Sequence, residues 1–243
     1  MGKLKIEKLK GSLYLIPVEL GDTPQDRVLP SYNRDVILNL KYFIVEEVRS
    51  ARRFLKRVDK DINIDLLTFY PMGKHADPAR FAEYLKILEA GESMGVISEA
   101  GCPAVADPGA DVVAIAQSKG LRVVPLVGPS SMILSVMASG LNGQSFAFHG
   151  YLPIDPADRI RRIKALETRA YEERQTQLFI ETPYRNQKLF DTLCQTLRPK
   201  TRICVAAGIT TEAEWIHTHT VMEWKRQQLP DFSKTPAIFL IGA

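Results

Sequence analysis

Short apolar runs and amphipathic segments alternate along the first half of the chain. Five runs are nearly all apolar and rich in β-branched or aromatic residues, which is typical of strands buried on both faces of a parallel sheet. These runs are residues 12–18, 42–46, 65–70, 94–98 and 121–127. Two helical patterns lie between them, formed by Val45, Val48, Leu55 and Val58 and by Phe81, Tyr84, Leu85 and Leu88. The alternation predicts an α/β layered domain with a mostly parallel sheet.

The second half of the chain has a different pattern. Helices are predicted over residues 156–173 and 187–197. Four strand-like runs accompany them, at residues 176–182, 202–209, 214–221 and 237–242. The last-but-one run alternates cleanly between polar and apolar residues, which favours an antiparallel pairing with its neighbour and therefore a mixed sheet. We place the domain boundary at the turn Gly128-Pro129, so that residues 1–127 and 128–243 form two α/β domains.

Residues 123–154 contain no Asp, Glu, Lys or Arg, which on length alone would suit a membrane span. The glycines and prolines inside this segment exclude one continuous spanning helix, and we predict strand, tight turn, buried helix, loop and strand instead. The start of the chain lacks a signal-peptide core, and the three cysteines form no disulfide framework. These features predict a soluble cytoplasmic protein. The net charge of +4 is compatible with an anionic partner without requiring one.

Three of the predicted strand ends are rich in residues that break regular structure: residues 17–22, 98–109 and 125–131. Ligands of parallel α/β sheets bind beyond the carboxyl ends of the strands, and glycines there let a ligand approach the backbone. Each loop alone could be a simple tight connection, but three at one edge predict a binding platform built from main-chain groups. The chain has no G-x-G-x-x-G after its first strand and no P-loop motif, so neither dinucleotide nor P-loop phosphate binding is predicted.

Five stretches of the chain resemble successive blocks of the tetrapyrrole methylase superfamily. They are LYLIPVELGD, VISEAGCPAVADPG, VVPLVGPSSMILSVMASGL, FAFHGYLP and FIETPYR. Within the superfamily they are most similar to the branch of the ribosomal RNA small-subunit methyltransferase I proteins, which methylate a cytidine ribose 2′-hydroxyl. The resemblance implies two α/β domains with S-adenosylmethionine held in a cleft between them, and usually a homodimer.

The resemblance also implies which residues contact the cofactor. They are Pro17, Gly21 and Asp22 on the first loop; Ala100, Gly101, Cys102, Pro103, Val105 and Ala106 on the second; Ser130 and Ser131 at the third; and Phe179, Glu181, Gly208, Pro236 and Ala237 in the C-terminal domain. A cationic sulfonium suits a neighbouring carboxylate such as Asp22. The small apolar residues 104–106 and 236–237 could supply a slot for adenine.

A hydroxyl acceptor must be aligned with the methyl donor and must lose its proton to a base. The residues that match the ribosomal RNA branch on the acceptor side are Glu46, Glu47, Arg49 and Arg185. Each has a purely structural alternative. Carboxylates in a first helical turn stabilise the helix, and Arg185 could form an ion pair instead of binding a substrate phosphate.

Two basic clusters could bind RNA phosphates or could simply be solvated helix surface. The first consists of Arg49, Arg52, Arg53, Lys56, Arg57 and Lys60, and the second of Arg159, Arg161, Arg162 and Lys164. The alternating pattern puts His217 and His219 on one face of a strand, but no third ligand accompanies them, so no metal site is predicted. His149 fits a hydrogen-bonded boundary residue better than a base.

Several positions depart from the ribosomal RNA branch, and they touch the acceptor side much more than the cofactor loops. Val48 follows Glu47 where the branch usually has a threonine, Thr211 replaces an expected lysine, and residues 69–78 replace a segment rich in His and Glu. Three hypotheses therefore stay open. The leading one is methylation of a ribose hydroxyl in small-subunit ribosomal RNA, which the basic clusters favour. The others are methylation of a small tetrapyrrole-like acceptor and a non-catalytic module that binds S-adenosylmethionine.

Overall fold

Two five-stranded sheets organise the computed structural model, which describes residues 11–73, 77–227 and 230–243. The chain divides into two units, the first ending at Pro129 and the second covering Ser130–Ala243. In the first unit every strand pairing is parallel, whereas the second unit has a mixed sheet. The predicted fold class, two α/β units with one parallel and one mixed sheet, is confirmed.

The first sheet has the strand order β3-β2-β4-β1-β5. Its strands are β1 (Ser12–Ile16), β2 (Tyr42–Val45), β3 (Thr68–Pro71), β4 (Met94–Ile97) and β5 (Arg122–Pro125). The helices of this unit are α1 (Gln25–Val28), α2 (Ser31–Leu38), α3 (Val48–Val58), α4 (Phe81–Tyr84), α5 (Lys86–Glu89) and α6 (Ala110–Ser118). Short 3₁₀ turns cover Ile64–Leu66 and Pro78–Arg80.

Both faces of the first sheet are covered, as the apolar runs predicted. Phe43 and Ile44 are adjacent on β2, so they point to opposite faces, and both are fully buried. Phe43 belongs to a cluster with Phe54 of α3, and Ile44 to a separate cluster with Val112 of α6. The outer strands β3 and β5 are less buried than the runs predicted because they form the edges of the sheet.

Two local predictions in this unit are wrong. Val45 ends β2 and does not belong to the helix, because Glu47 caps α3 and the helix begins only at Val48. The run 65–70 does not start as a strand, because the Asn63 side chain accepts a hydrogen bond from the amide of Asp65 and a 3₁₀ turn forms first. The second helical pattern, which includes Phe81 and Leu88, forms two short helices, α4 and α5, that break at Leu85.

The second sheet has the strand order β6-β7-β10-β8-β9, in which only β6 and β7 are parallel. Its strands are β6 (Phe146–Tyr151), β7 (Thr176–Ile180), β8 (Arg202–Ala207), β9 (Trp215–Thr220) and β10 (Ala237–Gly242). The helices are α7 (Ser131–Ser139), α8 (Pro156–Glu172), α9 (Asn186–Thr196) and α10 (Val221–Trp224), with a 3₁₀ turn at Pro183–Arg185. The predicted antiparallel neighbours are β8 and β9.

The uncharged segment 123–154 forms most of β5, a turn, α7 and β6, in the predicted order. Helix α7 buries only one face within the chain, since Ile133 and Met137 are exposed on the other. Across the ranges that the structure describes, no helix is both long enough and apolar enough to cross a bilayer.

Candidate functional site

The loops that follow β1 and β4 are locked together by backbone hydrogen bonds. The amide of Val18 donates to the carbonyl of Gly101 at 2.9 Å, and the amide of Gly101 donates to the carbonyl of Val18 at 3.0 Å. Gly101 has a φ of +68°, and a Cβ atom there would lie 3.1 Å from Leu20 Cδ2. Glycine is therefore the residue that fits here without strain, and the first two predicted loops meet at the carboxyl edge of the sheet.

The loop after β5 joins the same edge. The thiol of Cys102 donates to the carbonyl of Pro129 at 3.5 Å. Burial first, and Asp107 second, raise the pKa of this thiol, which keeps it protonated for that role. A Cβ atom on Gly128 would lie 2.2 Å from Pro17 Cγ, so the third loop also approaches the first one closely. The structure thus brings together all three loops that the sequence singled out.

The loop 101–109 holds two alanines in the left-handed region, Ala104 with a φ of 66° and Ala106 with a φ of 61°. Non-glycine residues there cost roughly 1–2 kcal/mol each, so the surrounding structure must impose the conformation. The amide of Ala104 donates to the carbonyl of Pro108 at 3.2 Å and closes the loop on itself. This conformation leaves Val105 and Ala106 exposed. Gly21, Asp22 and Ala100, which the resemblance also assigns to the cofactor, are exposed as well.

Three carboxylates lie where β2 and β4 end. Glu46 Oε2 accepts a hydrogen bond from the amide of Glu99 at 3.2 Å, and the carboxylate of Glu99 bonds the hydroxyl of Ser50. Burial, followed by the charges of Glu46 and Glu99, raises the pKa of Asp107 above its ordinary value of 3.8. Sequence reasoning missed Glu99 and Asp107, because the glycines and prolines of the loop that holds them point to a role for its backbone.

The two glutamates predicted for the acceptor side have different environments. Glu47 is the N-cap of α3, and its side chain accepts a hydrogen bond from the amide of Arg49 at 2.9 Å. Glu46 lies one residue earlier, at the strand end, and contacts the loop after β4. The structural alternative therefore describes Glu47, while Glu46 faces the other carboxylates. The Arg49 side chain is exposed.

Several buried polar atoms near these loops have no hydrogen-bond partner. Asn33 of α2 is 2% exposed; its Nδ2 donates to the carbonyl of Val127 at 2.8 Å, but its Oδ1 is unpartnered. Thr23 Oγ1 and Gln25 Nε2, on the segment just before α2, are also buried without partners. Unsatisfied buried groups are rare in folded proteins and are expected where a ligand supplies the missing partner. No sequence pattern indicates Asn33, because its contact is with Val127, a residue far away in the chain.

In the second unit, Ser130 is the N-cap of α7 and Ser131 is the first residue of that helix. The Ser130 hydroxyl makes no capping hydrogen bond, so it is not committed to the helix. The start of α7 is explained without a bound ligand. Ser130 and Ser131 nevertheless stay candidates for contact with a ligand.

The remaining residues that the resemblance assigns to cofactor contact lie at one edge of the second sheet. The carboxyl ends of β7 and β8 lie beside the start of β10, where Ile238 pairs with both Ile180 and Ala206. The amide of Gly208 donates to the carbonyl of Pro236 at 3.0 Å, which links two of the predicted positions, and Ala237 begins the strand that follows. Phe179 differs from the others, since its side chain is fully buried and its ring stacks on Phe239 inside the core. Only its main chain is available to a ligand.

Glu181 and Arg185 form a buried ion pair at this edge. Arg185 Nε and a terminal guanidinium nitrogen donate to Glu181 Oε1 at 2.9 and 2.7 Å, and the amide of Thr182 donates to the same oxygen at 2.8 Å. The Glu181 side chain is 2% exposed, whereas that of Arg185 is 25% exposed. The guanidinium also lies over the exposed ring of Tyr184. The ion-pair alternative thus accounts for the position of Arg185.

In the second basic cluster, three of the four cations have hydrogen-bond or ion-pair partners within their own unit. Arg159 is buried, and its guanidinium donates to the carbonyls of Pro153 and Ile154. Arg161 pairs with Asp158, and Arg162 donates to His149 Nδ1. Since burial lowers the pKa of His149, the ring is neutral and its Nε2–H donates to Gln177. These arginines serve the fold of the second unit.

His217 and His219 do share one face of β9, with ring centroids 6.2 Å apart. Among the residues described, no group of three or more His, Cys, Asp or Glu side chains is arranged to hold a metal ion. The two rings instead continue a row of aromatic contacts between Trp215 and Trp224.

Several known proteins with similar sequences share one name. The chain is 31% identical over 193 residues to the ribosomal RNA small subunit methyltransferase I of Streptococcus pyogenes, covering 79% of this chain and 62% of the relative. The protein of that name from Pseudomonas aeruginosa is 31% identical, with 72% and 58% covered, and that from Vibrio cholerae is 30% identical, with 84% and 67% covered. The chain thus spans about three fifths of the length of the first two relatives. No protein-family model matches it.

Solved structures agree on the fold. The methyltransferase CobJ superimposes with a TM-score of 0.60 at 14% identity, covering 96% of this chain and 94% of that one. The uroporphyrin-III-C-methyltransferase of Thermus thermophilus superimposes with a TM-score of 0.53 at 17% identity, covering 96% and 92%. At these identities the likeness supports the architecture of the two units alone.

Proposed function

The chain belongs to the ribosomal RNA small subunit methyltransferase I family, and we propose that it is an S-adenosylmethionine-dependent methyltransferase that modifies small-subunit ribosomal RNA. The acceptor in this proposal is a ribose 2′-hydroxyl. The observation that carries the proposal is the edge of the first sheet, where three loops meet beside three carboxylates. The Val18–Gly101 bonds join the first two loops, and the bond from the Cys102 thiol to the Pro129 carbonyl joins the third.

The residues at this edge fit the cofactor. Because Gly101 has no Cβ atom, its backbone can lie close to a ligand. The Oδ1 atom of buried Asn33 has no partner and can accept a hydrogen bond from a ligand hydroxyl or amino group. Bound S-adenosylmethionine supplies an electrophilic methyl group on a cationic sulfonium. A positive charge there suits the Asp22 carboxylate of the first loop and the carboxylates Glu46, Glu99 and Asp107 at the same edge of the sheet.

The loop residues Pro17, Gly21, Ala100, Gly101 and Cys102 would hold the cofactor through their main chains, and Val105 and Ala106 would offer apolar surface to the adenine. The resemblance extends this role to a second set of residues, which are Ser130, Ser131, Phe179, Glu181, Gly208, Pro236 and Ala237. Phe179 would take part through its backbone, because its side chain is in the core.

On the acceptor side, Glu46 would accept the proton of the ribose hydroxyl. The hydrogen bond from the amide of Glu99 to Glu46 Oε2 fixes this carboxylate at the strand end, which supports the role. Glu47 would act indirectly by fixing the start of α3. Arg49 and Arg185 would contact substrate phosphates, although Arg185 would have to do so while keeping its bonds to Glu181.

The proposal includes a homodimer that works in the cytoplasm. Ile133 and Met137 lie one turn apart on α7 and are 47% and 74% exposed, so an apolar stripe is left uncovered in the single chain. Light scattering would give the molar mass in solution, and Met137→Glu should shift a dimer toward the monomer. A wild-type protein that is monomeric at micromolar concentration would remove this part of the proposal.

A labelling experiment tests the function. Purified protein and S-adenosylmethionine carrying a labelled methyl group are incubated with small ribosomal subunits from cells that lack the chain's own gene. We expect label in the ribosomal RNA and none in subunits from the parent cells. Binding of S-adenosylmethionine with no transfer to any RNA would favour the non-catalytic module, and transfer to a precorrin-like compound would favour the small-molecule acceptor. If neither the cofactor nor its demethylated product raises the melting temperature, the proposal fails.

A further inference from the structure

We propose that three side chains on one face of α3, Arg49, Arg53 and Lys56, form the surface that binds the sugar–phosphate backbone of the RNA substrate. We call them the α3 stripe. The inference rests on the proposed function, since it assigns to RNA a surface that the fold itself does not use.

The structure separates the cations of α3 into two groups. Arg57 pairs with Glu19, whose side chain is 3% exposed, and Arg52 pairs with Asp65 at 3.2 Å. These two arginines hold neighbouring segments against the helix. In the part of the chain that the structure describes, the guanidinium groups of Arg49 and Arg53 have no hydrogen-bond or ion-pair partner. Lys56 donates one hydrogen bond, to the carbonyl of Lys60 at 2.8 Å, and keeps two donors for a ligand.

The three side chains lie in a row. They are four and three residues apart, so they share one face of the helix, and all three are exposed. At about 1.5 Å per residue the row is about 10 Å long, whereas one strand of a nucleic-acid duplex rises about 3.4 Å per nucleotide. The row can therefore contact several neighbouring phosphates of one strand.

The row starts beside the candidate acceptor site. Helix α3 begins directly after Glu46 and its cap Glu47, at the carboxyl end of β2, and Arg49 is in its first turn. The stripe then leads away from the carboxylates along the helix. A strand that places one ribose at Glu46 can continue along the stripe with its neighbouring phosphates.

A shallow depression of about 650 Å³ borders the stripe, between α3 and residues 61–65. Arg53 and Lys56 form one side of it, and Ile62 and Ile64 contribute apolar surface. Asp65 is neutralised by Arg52, which leaves Asp61 as the one carboxylate among these lining residues without a cation partner. The depression offers room for a ribose or a base next to the cationic row.

The basic cluster on α8 serves as a structural comparison for the α3 stripe. Three of the four cations in that cluster have hydrogen-bond or ion-pair partners within their own unit. If the α3 stripe were only solvated helix surface, it would bind no ligand. The two interpretations therefore make different predictions for RNA binding.

The test compares two double variants that each remove two exposed cations. One is Arg53→Ala with Lys56→Ala, and the matched control on α8 is Arg161→Ala with Lys164→Ala. Binding to small ribosomal subunits is measured between about 50 and 200 mM salt, together with the affinity for S-adenosylmethionine. We expect the α3 variant to lose roughly tenfold to hundredfold in RNA affinity, with a salt slope shallower by about one to two, while cofactor affinity is unchanged. The control should stay within about twofold of the wild type in both.

A third variant guards against a folding defect. Arg53→Lys with Lys56→Arg keeps both charges and should keep most of the RNA affinity, because phosphate contacts depend mainly on charge. The inference is overturned if the α3 alanine variant binds RNA with the wild-type affinity and slope, or if the α8 control loses as much. RNA binding through α3 without any methyl transfer would instead remove the proposed function and leave this surface standing. A wild-type protein with no affinity for RNA would overturn both.

Discussion

The amide of Glu99 donates to Glu46 Oε2 at 3.2 Å, so a side chain at the end of β2 fixes the backbone where the loop after β4 begins. Because β2 and β4 are neighbours in a parallel sheet, both residues reach the same edge. The same loop continues to Gly101, which bonds Val18 beyond β1. The acceptor-side carboxylate and the cofactor loops are therefore parts of one hydrogen-bonded structure. A substitution in one part should also affect the other part.

Replacing Gly101 by alanine tests this edge. The variant Gly101→Ala must place a Cβ atom at a φ of +68° and 3.1 Å from Leu20 Cδ2. We expect a loss of about 1–2 kcal/mol in the free energy of unfolding, and weaker binding of S-adenosylmethionine by calorimetry. Gly120 is a matched control, since its φ is +62° but no atom lies within 4 Å of an added Cβ. Gly120→Ala should cost a similar stability and leave the cofactor affinity unchanged; equal losses of affinity in both variants would contradict the assignment.

Substitutions of the adjacent residues Glu46 and Glu47 should separate catalysis from helix capping. Glu46→Gln removes the proposed proton acceptor, and we expect kcat to fall by about 10²–10⁴-fold with little change in cofactor affinity. Glu47→Gln weakens the α3 cap and should cost about 0.5–1 kcal/mol of stability with a smaller loss of kcat. Single-turnover methylation and chemical denaturation measure the two effects. The opposite ranking in kcat would move the catalytic role to Glu47.

Asp107 should make the protein less stable as the pH rises. Burial and the charges of Glu46 and Glu99 raise its pKa in the folded state, whereas in the unfolded chain it titrates near 3.8. Between these two values the folded protein binds the proton more tightly, so raising the pH removes a proton that stabilises the fold. Asp107→Asn should therefore raise the melting temperature at pH 7, and the gain should shrink toward pH 4. A gain that is independent of pH would exclude this cause.

The fold and the loops were predictable from the sequence for local reasons. Each of the informative patterns determines the structure of the short segment in which it occurs. These patterns are the apolar runs of strand length, the alternation around His217 and the glycines near residue 101. Asn33 and Asp107 were not predictable, because their importance comes from Val127 and Glu46, which lie 94 and 61 positions away in the printed sequence. The arginines of α8 illustrate the reverse case. Their spacing suggested a surface, and only their partners, such as the carbonyl of Pro153, showed a structural role.

His149 should make the second unit sensitive to mild acid. Its Nδ1 accepts a hydrogen bond from Arg162 at 3.1 Å and its Nε2–H donates to Gln177 at 2.7 Å, an arrangement that needs the neutral ring. Burial lowers the pKa of His149, and the charges of Arg162 and Arg169 lower it further, while Gln177 opposes them. The unfolded chain takes up a proton near pH 6.5 and the folded one does so only at lower pH, so stability falls as the pH drops through that range.

Arg162→Gln removes one of the two cations and should bring the pKa of His149 closer to its ordinary value. We expect the melting temperature of this variant to fall less between about pH 7.5 and 5.5 than that of the wild type. Arg161→Gln is the control, because Arg161 pairs with Asp158 and does not contact the ring. Comparing the slopes of melting temperature against pH cancels the other groups that titrate in this range. If Arg162→Gln and Arg161→Gln keep the wild-type slope, the neutral state of His149 does not depend on the charge of Arg162, and the pH sensitivity must arise from its burial.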